Sequence, residues 1–269
     1  MVVVGGAVGY LLGLPLFGQA GPDSAALSGQ LFGLLVPFGS AVAAVYFWIR
    51  LRERRSFRTV GFQTSPKNAL VGACVGFAMF VLVVLITVTT GQMRFEVWGN
   101  GHLVNSALIG GVLLAFVGFA VQGSAEEILC RGFVLQALYR KWGLLAAVIV
   151  QSLLFVAMHL TNPSGVKPLA VLNLFLFGLF TAAWALYEGG LWGVCAMHAV
   201  WNWTQGNVFG VLVSGTEVRT SLLHTRPAEG SNDLLTGGGF GLEASLVTSA
   251  VLIVGTAVVI MLRQRRTVE

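Results

Sequence analysis

One apolar stretch of the sequence, residues 124–133, reads SAEEILCRGF and contains two adjacent carboxylates and an arginine. Two later apolar stretches contain one histidine each, His159 and His198, and Asn202 follows the second histidine by four positions. Carboxylates and imidazoles are the side chains that most often accept and deliver protons in enzymes. Whether these groups can act together depends on the elements that carry them.

The composition indicates that those elements lie in a membrane. Hydrophobic side chains make up 56% of the 269 residues and charged side chains only 10%, whereas about a quarter of the residues in soluble domains are charged. Several apolar runs reach or approach the length of about 20 residues that crosses the hydrocarbon core. We therefore predict an all-α fold, with residues 1–269 forming a single polytopic membrane domain of about eight transmembrane helices. The apolar runs lie at about 2–18, 27–49, 68–90, 103–140, 143–160, 168–187, 190–211 and 243–262.

The basic residues predict the orientation. With a cytoplasmic N-terminus, only four basic residues fall in exterior loops, namely Arg94, Lys167, Arg219 and Arg226. The interior loops then contain Arg50, Arg52, Arg54, Arg55, Arg58, Lys67, Arg140, Lys141, Arg263, Arg265 and Arg266. Because basic loops stay on the cytoplasmic side, we expect both termini there. The same distribution explains the net charge of +5 without a nucleic-acid partner. The polar segment 212–242 becomes an exterior loop.

The fourth apolar run is too long for one upright crossing. Its roughly 38 residues would span nearly twice the ~30 Å core at ~1.5 Å per residue. We expect a bend at Gly123–Ser124, since both residues are weak helix formers. An interior turn is predicted at Lys141–Gly143. In the antiparallel hairpin that this turn would make, Glu126 and His159 lie at similar depth.

Spacing assigns different tasks to the two glutamates. Glu127 and Arg131 are four residues apart, which puts them on one helix face as an ion pair. Glu126 is rotated by about 100° from that face and stays free for another contact. A charge at the bilayer centre costs at least about 2.5–3.5 kcal/mol, so such residues are normally paired, inward-facing and functional.

The two helices that carry His159 and His198 each place a second side chain beside the histidine. His198 and Asn202 share one helix face, and Phe155 lies one turn before His159, where its ring could form a wall of a pocket. Each residue alone also has a structural explanation, such as a hydrogen-bonded core histidine or an asparagine that joins helices. A purely structural design has little reason to place all intramembrane charges together. Their conjunction predicts a polar cavity within the membrane.

Three short motifs carry a resemblance to a known family. Residues Glu126–Arg131 match an EExxxR pattern, Phe155–His159 match FxxxH, and His198–Asn202 match HxxxN. In this order, on three hydrophobic segments, they resemble the motifs of the CAAX protease and bacteriocin-processing family, also called the Abi family. The resemblance covers roughly residues 103–205, which we take as the catalytic core.

The resemblance implies an intramembrane endopeptidase of the glutamic type, similar to type II CAAX prenyl proteases. In that interpretation Glu126 with His159 would activate a water molecule, and His198 with Asn202 would stabilise the oxyanion. The ion pair and the aromatic ring described above would support these four residues. The implied substrate is a membrane-associated or lipidated peptide or protein, in a bacterial cytoplasmic membrane, at a site that opens to the cytoplasm.

Other functions remain open at this point. A zinc enzyme could use Glu126, His159 and His198 as ligands and keep a fourth position for water, although we expect no cofactor. A proton-coupled transporter could use the same residues as a relay, but such proteins often contain internal repeats and we find none. The chain could also be an inactive immunity or scaffold protein with the same fold.

Overall fold

The structure, a computed structural model, describes residues 27–96, 105–162 and 166–266. Within these ranges the chain is almost entirely helical, which confirms the predicted all-α class. The α-helices of the described residues are α1 (Leu27–Phe47), α2 (Asn68–Thr89), α3 (Ser106–Glu127), α4 (Leu135–His159), α5 (Pro168–Glu188), α6 (Trp192–Trp203), α7 (Asp233–Thr236) and α8 (Leu246–Arg266). Stretches of π-helix extend α1, α3 and α6, at Trp48–Arg52, Ile128–Val134 and Thr204–Val208. Single 3₁₀ turns occur at Phe57–Val60, Gly238–Phe240 and Leu242–Ala244.

The chain is a polytopic helical membrane protein, but the predicted number of eight crossings is not confirmed. Five helical stretches among the described residues are long and apolar enough to cross a membrane. One of them, Ser106–His159, contains two of the predicted segments. Helix α6 has only 12 residues before its π-helical extension. The first predicted segment, 2–18, lies outside the described residues.

Local sequence signals set several helix boundaries. The Asn105 side chain accepts a hydrogen bond of 2.8 Å from the Leu108 amide and so caps the start of α3. Pro168 occupies the first turn of α5, where its missing amide proton costs nothing, and Gly189 ends the helix in the left-handed conformation. Gly143 interrupts α4 with φ 80° and ψ 173°, at the turn predicted for Lys141–Gly143.

The bend predicted at Gly123–Ser124 is absent, because α3 continues regularly to Glu127. Gly123 instead allows α3 to pack closely on α6. A Cβ atom built there would lie 2.8 Å from the Ala199 amide nitrogen of α6, which is too close for a side chain. The irregularity comes one turn later, as the π-helix Ile128–Val134. Glycine at this position therefore reflects the close approach of two helices and not a loosened backbone.

Helix α6 lies at the centre of the bundle, packed on α2 and α3. A Cβ atom at Gly72 or Gly76 of α2 would overlap the α6 backbone at Gly193 or Met197. Small residues of this kind let helix backbones approach closely in membranes. Most α6 side chains are consequently buried, His198 and Asn202 among them.

The segment after α6 folds back onto the bundle. Strand β2 (His224–Pro227) pairs antiparallel with strand β1 (Met93–Glu96), which follows α2. Farther along, the Asn173 side chain of α5 donates hydrogen bonds to the carbonyl oxygens of Glu243 and Ser245, at 2.7 and 2.8 Å. The polar segment that the sequence marks as an exterior loop is therefore packed structure, and part of it reaches the site described next.

Candidate active site

A fully buried ion pair forms the base of the site. Arg131 Nη1 donates to Glu127 Oε1 at 2.8 Å, and neither side chain has any exposed surface. Arg131 Nη2 donates to the Gly178 carbonyl oxygen at 3.3 Å. The guanidinium carbon also lies 4.9 Å from the centre of the Phe155 ring, in cation–π geometry. These contacts stabilise the buried charges of Arg131 and Glu127. Either charge would be very costly in free energy if it were buried without a partner.

His198 lies between the two adjacent glutamates. Its Nδ1 is 2.8 Å from Glu127 Oε1, and its Nε2 is 3.5 Å from Glu126 Oε2. Since a carboxylate oxygen only accepts, Nδ1 carries the proton toward Glu127. The approach of Nε2 to Glu126 is within ion-pair distance but is not a hydrogen bond among the described residues. The spacing in the sequence did not reveal that Glu127 orients His198 as well as pairing with Arg131.

Asn202 completes this side of the site. Its Nδ2 donates to Gln122 Oε1 of α3 at 2.9 Å, while its Oδ1 has no hydrogen-bond partner among the described residues. Glu126 Oε2 is likewise buried without a hydrogen bond in the described part of the chain. Most buried polar atoms in proteins have a hydrogen-bond partner, so each exception calls for an explanation. These two atoms belong to residues that line one cavity, where a water molecule or a substrate would supply the missing partners.

His159 ends α4 and faces the same space. Its Nδ1 donates to the Phe155 carbonyl oxygen at 2.8 Å, one helical turn earlier. A carbonyl oxygen cannot donate, so in the neutral ring Nε2 carries the free lone pair. The Phe155 ring centre is 4.6 Å from the imidazole centre and fixes the plane of the ring. His159 is thereby prepared to accept a proton or a hydrogen bond at Nε2.

Two cavities meet at these residues. The larger, of about 340 Å³, has Glu126, His159 and Asn202 in its wall, together with residues of α1 and of the segment after α6. The smaller, of about 20 Å³, lies between His159, His198 and Asn202 and is bounded by Phe155. The residues in the first cavity wall are mostly apolar, with a few convergent polar groups, as is usual for sites of this size.

Ser214 and Glu243 enter the site from the segment after α6, and sequence reasoning missed both. Glu243 Oε2 accepts hydrogen bonds from the Ser214 amide at 2.6 Å and from its hydroxyl at 2.9 Å. Both residues border the smaller cavity beside His159. Burial raises the pKa of Glu243, although the Ser214 hydrogen bonds and the neighbouring His159 act against the increase. Its position at the start of the last apolar run was the available signal.

The seven residues predicted from the motifs come together in this one region. Arg131 contacts both Glu127 and Phe155, and His198 joins Glu127 to Glu126. His159 and Asn202 reach the same two cavities. Gln122, like Ser214 and Glu243, was not predicted, because an isolated glutamine in an apolar helix carries no motif.

A zinc ion would need a compact set of ligands. Among the described residues, no group of three His, Cys, Asp or Glu side chains is arranged to hold a metal ion. Of the three ligands considered from the sequence, Glu126 and His198 are adjacent and His159 keeps Nε2 free, but the three do not form a group that could hold a metal ion. The donor set in this arrangement therefore does not fit a tetrahedral metal site.

The fold and the site define an integral membrane protein with acid–base groups buried in a helical bundle. No curated protein and no solved structure matches the chain. Residues 107–204 do match a family model, described as Type II CAAX prenyl endopeptidase Rce1-like. This segment carries all three motifs, and over it the chain is similar to the type II CAAX prenyl endopeptidases. The similarity supports a membrane protease at the level of the family.

Proposed function

We propose that this chain is an intramembrane endopeptidase of the glutamic type, which hydrolyses a peptide bond of a membrane-associated substrate. Glu126 is the general base. Its Oε2 atom is buried without a hydrogen bond among the described residues, and the Glu126 residue lines the larger cavity. This single feature supports the proposal best, because a general base needs a free lone pair directed at the space where water and substrate meet.

Water activation uses two acceptors. One proton of the attacking water points to Glu126, and the other to the lone pair of His159 Nε2. As the water oxygen bonds to the carbonyl carbon, its first proton passes to the Glu126 carboxylate. Collapse of the tetrahedral intermediate breaks the carbon–nitrogen bond, and the proton held by Glu126 moves to the leaving nitrogen. The products are one new carboxyl terminus and one new amine.

The oxyanion of the intermediate needs donors that are already in place. His198 supplies Nε2–H in its protonated form, which the carboxylate of Glu127 stabilises from the other side of the ring. Asn202 supplies the second proton of Nδ2, since the first is given to Gln122. Loss of one such donor typically slows acyl transfer by about 10²–10³-fold.

The test is hydrolysis of a membrane-tethered peptide by the purified full-length chain in detergent. We expect Glu126→Gln and His159→Ala each to lower the rate by about 10²–10⁴-fold, the usual contribution of acid–base groups. The matched control is Glu229→Gln, which removes an exposed carboxylate that lines neither cavity. Wild-type rates in Glu126→Gln would contradict the proposal.

Metal dependence is tested separately. We expect the rate to persist after exhaustive treatment with a strong chelator, with elemental analysis finding no stoichiometric metal. A loss of activity that zinc restores would instead require a metal-dependent mechanism.

A further inference from the structure

The basic residues mark one end of the bundle. Arg50 and Arg52 lie where α1 ends. The segment that follows is joined to the start of α4, since Gln136 Nε2 donates to the Val60 carbonyl oxygen at 2.9 Å. It is also joined to the start of α6, since the Leu191 amide donates to the Gly61 carbonyl oxygen at 2.8 Å. The α4 turn that bears Arg140 and Lys141 therefore lies at this same end.

The last helix follows the same pattern. Ser249, near the start of α8, donates to Asn173 near the start of α5 at 2.5 Å. Farther along, Gly255 of α8 faces Phe180 of α5. The two helices consequently run parallel, and Arg263, near the C-terminal end of α8, lies at the same end of the bundle as the end of α5. We call this the basic end.

The larger cavity extends in the opposite direction. Its polar rim contains Gln30 from the first turn of α1, Asn162 just after α4, and Ser214 and Glu217 from the segment after α6. Gln30 and Asn162 lie at helix ends remote from the basic end, and Ser214 and Glu217 belong to the segment that follows the remote end of α6. Glu126, a buried residue of α3, lines the same cavity. The space around the proposed catalytic base therefore leads away from the basic loops.

Toward the basic end, the site is closed by packed residues. Arg131 and Leu191 are each 2% exposed, and Val60 is fully buried. A Cβ atom built at Gly132 would lie 2.9 Å from the Val60 carbonyl oxygen. Neither of the two cavities at the site is lined by a residue of this layer. A substrate approaching from the basic end would have to displace the buried Glu127–Arg131 ion pair.

Basic loops remain on the cytoplasmic side of a membrane protein. The sequence predicts both cytoplasmic basic loops and a site that opens to the cytoplasm, and in this structure those two features lie toward opposite ends. We propose that the active site receives its substrate from the non-cytoplasmic side, as a peptide segment anchored in or against the outer half of the bilayer. This inference rests on the proposed peptidase function for the nature of the substrate, but not for the side of entry.

The side of entry can be measured without any catalysis. Gly33 borders the cavity, and a side chain added there meets no atom within 4 Å, so Gly33→Cys places a thiol in the cavity without a clash. Asn162→Cys places a second thiol at the rim. The matched control is Lys141→Cys at the basic end. All three are made in the full-length chain with Cys74→Ala, because Cys74 is the exposed native cysteine among the described residues.

Intact cells and inside-out vesicles are treated with a membrane-impermeant, sulfonated maleimide. We expect Gly33→Cys and Asn162→Cys to be labelled in intact cells and Lys141→Cys only in inside-out vesicles. Labelling of both cavity thiols only in inside-out vesicles, or in neither preparation, would overturn the proposal. If either variant fails to accumulate, the other decides the outcome by the same criterion.

The peptidase function has its own readout in the same system. A tethered peptide is reconstituted with the full chain in vesicles, with its cleavable segment on the same side as the cavity rim or on the same side as the basic end. Cleavage of the first arrangement alone supports both proposals, whereas cleavage of the second alone overturns the side of entry. Outer-face labelling without cleavage of either peptide would refute the peptidase function and leave the side of entry supported.

Discussion

Replacing Arg131 with methionine should destabilise the fold far more than removing an exposed arginine. Both members of the Glu127–Arg131 pair are fully buried at 2.8 Å, and Arg131 also bonds to the Gly178 carbonyl oxygen. Methionine fills much of the same volume but leaves the Glu127 charge without its cation. Removal of one partner from a buried ion pair typically costs about 3–5 kcal/mol, because the remaining charge stays desolvated. We expect a loss in that range.

The free energy of unfolding is measured by titrating mixed micelles with a denaturing detergent and following tryptophan fluorescence. Arg94→Met is the matched control, since the Arg94–Glu96 pair is exposed and such pairs contribute at most about 1 kcal/mol. In the double variant Glu127→Gln with Arg131→Met, the loss should be well below the sum of the single losses. Equal effects of Arg131→Met and Arg94→Met, or strict additivity, would refute the reasoning.

Three further changes test other parts of the site. Gln122→Met removes the acceptor that holds Asn202, and we expect the turnover number of the purified enzyme to fall about tenfold or more while the melting temperature changes little. Because burial raises the pKa of Glu243, the protonated form is favoured in the folded state. The stability of the wild type should therefore decline as the pH rises from about 4.5 through the raised pKa. In Glu243→Gln, the melting temperature should depend less on pH between pH 4 and 8 than in the wild type. An unchanged slope would contradict the assignment of this pH dependence to Glu243. Gly76→Val should clash with the α6 backbone and lower the melting temperature markedly, whereas Gly39→Val, in open space, should not.

The sequence predicts the central part of the site because its residues obey helical spacing. The pairing of Glu127 with Arg131 follows from a separation of four residues, and the α4 break at Gly143 follows from a glycine between charged and apolar runs. His159 and Glu126 are about equally far from the turn of the hairpin, and this places them near each other. Each inference uses only local geometry or a short connection, and the packing of the bundle agrees with that geometry.

Contacts between distant segments escape that kind of reasoning. Ser214 and Glu243 reach His159 only because the segment after α6 folds back over the bundle, and no periodicity encodes that path. Gly123 was assigned to a bend, since glycine weakens a helix in isolation; its actual environment is the backbone of another helix. The predicted number of eight crossings is not confirmed, because the apolar run at 190–211 forms the 12-residue helix α6 and a π-helical stretch among the described residues.

The two adjacent glutamates can be separated by their hydrogen bonds. Glu127 Oε1 accepts from both Arg131 and His198, so this one oxygen links the ion pair that stabilises the bundle to the ring that would bind the oxyanion. Glu126 has no such structural bond among the described residues. Loss of the Glu127 carboxylate should therefore impair stability and rate together, whereas loss of the Glu126 carboxylate should impair the rate alone. The arginine four residues later is thus part of the site's preorganisation, because it fixes the carboxylate that orients His198.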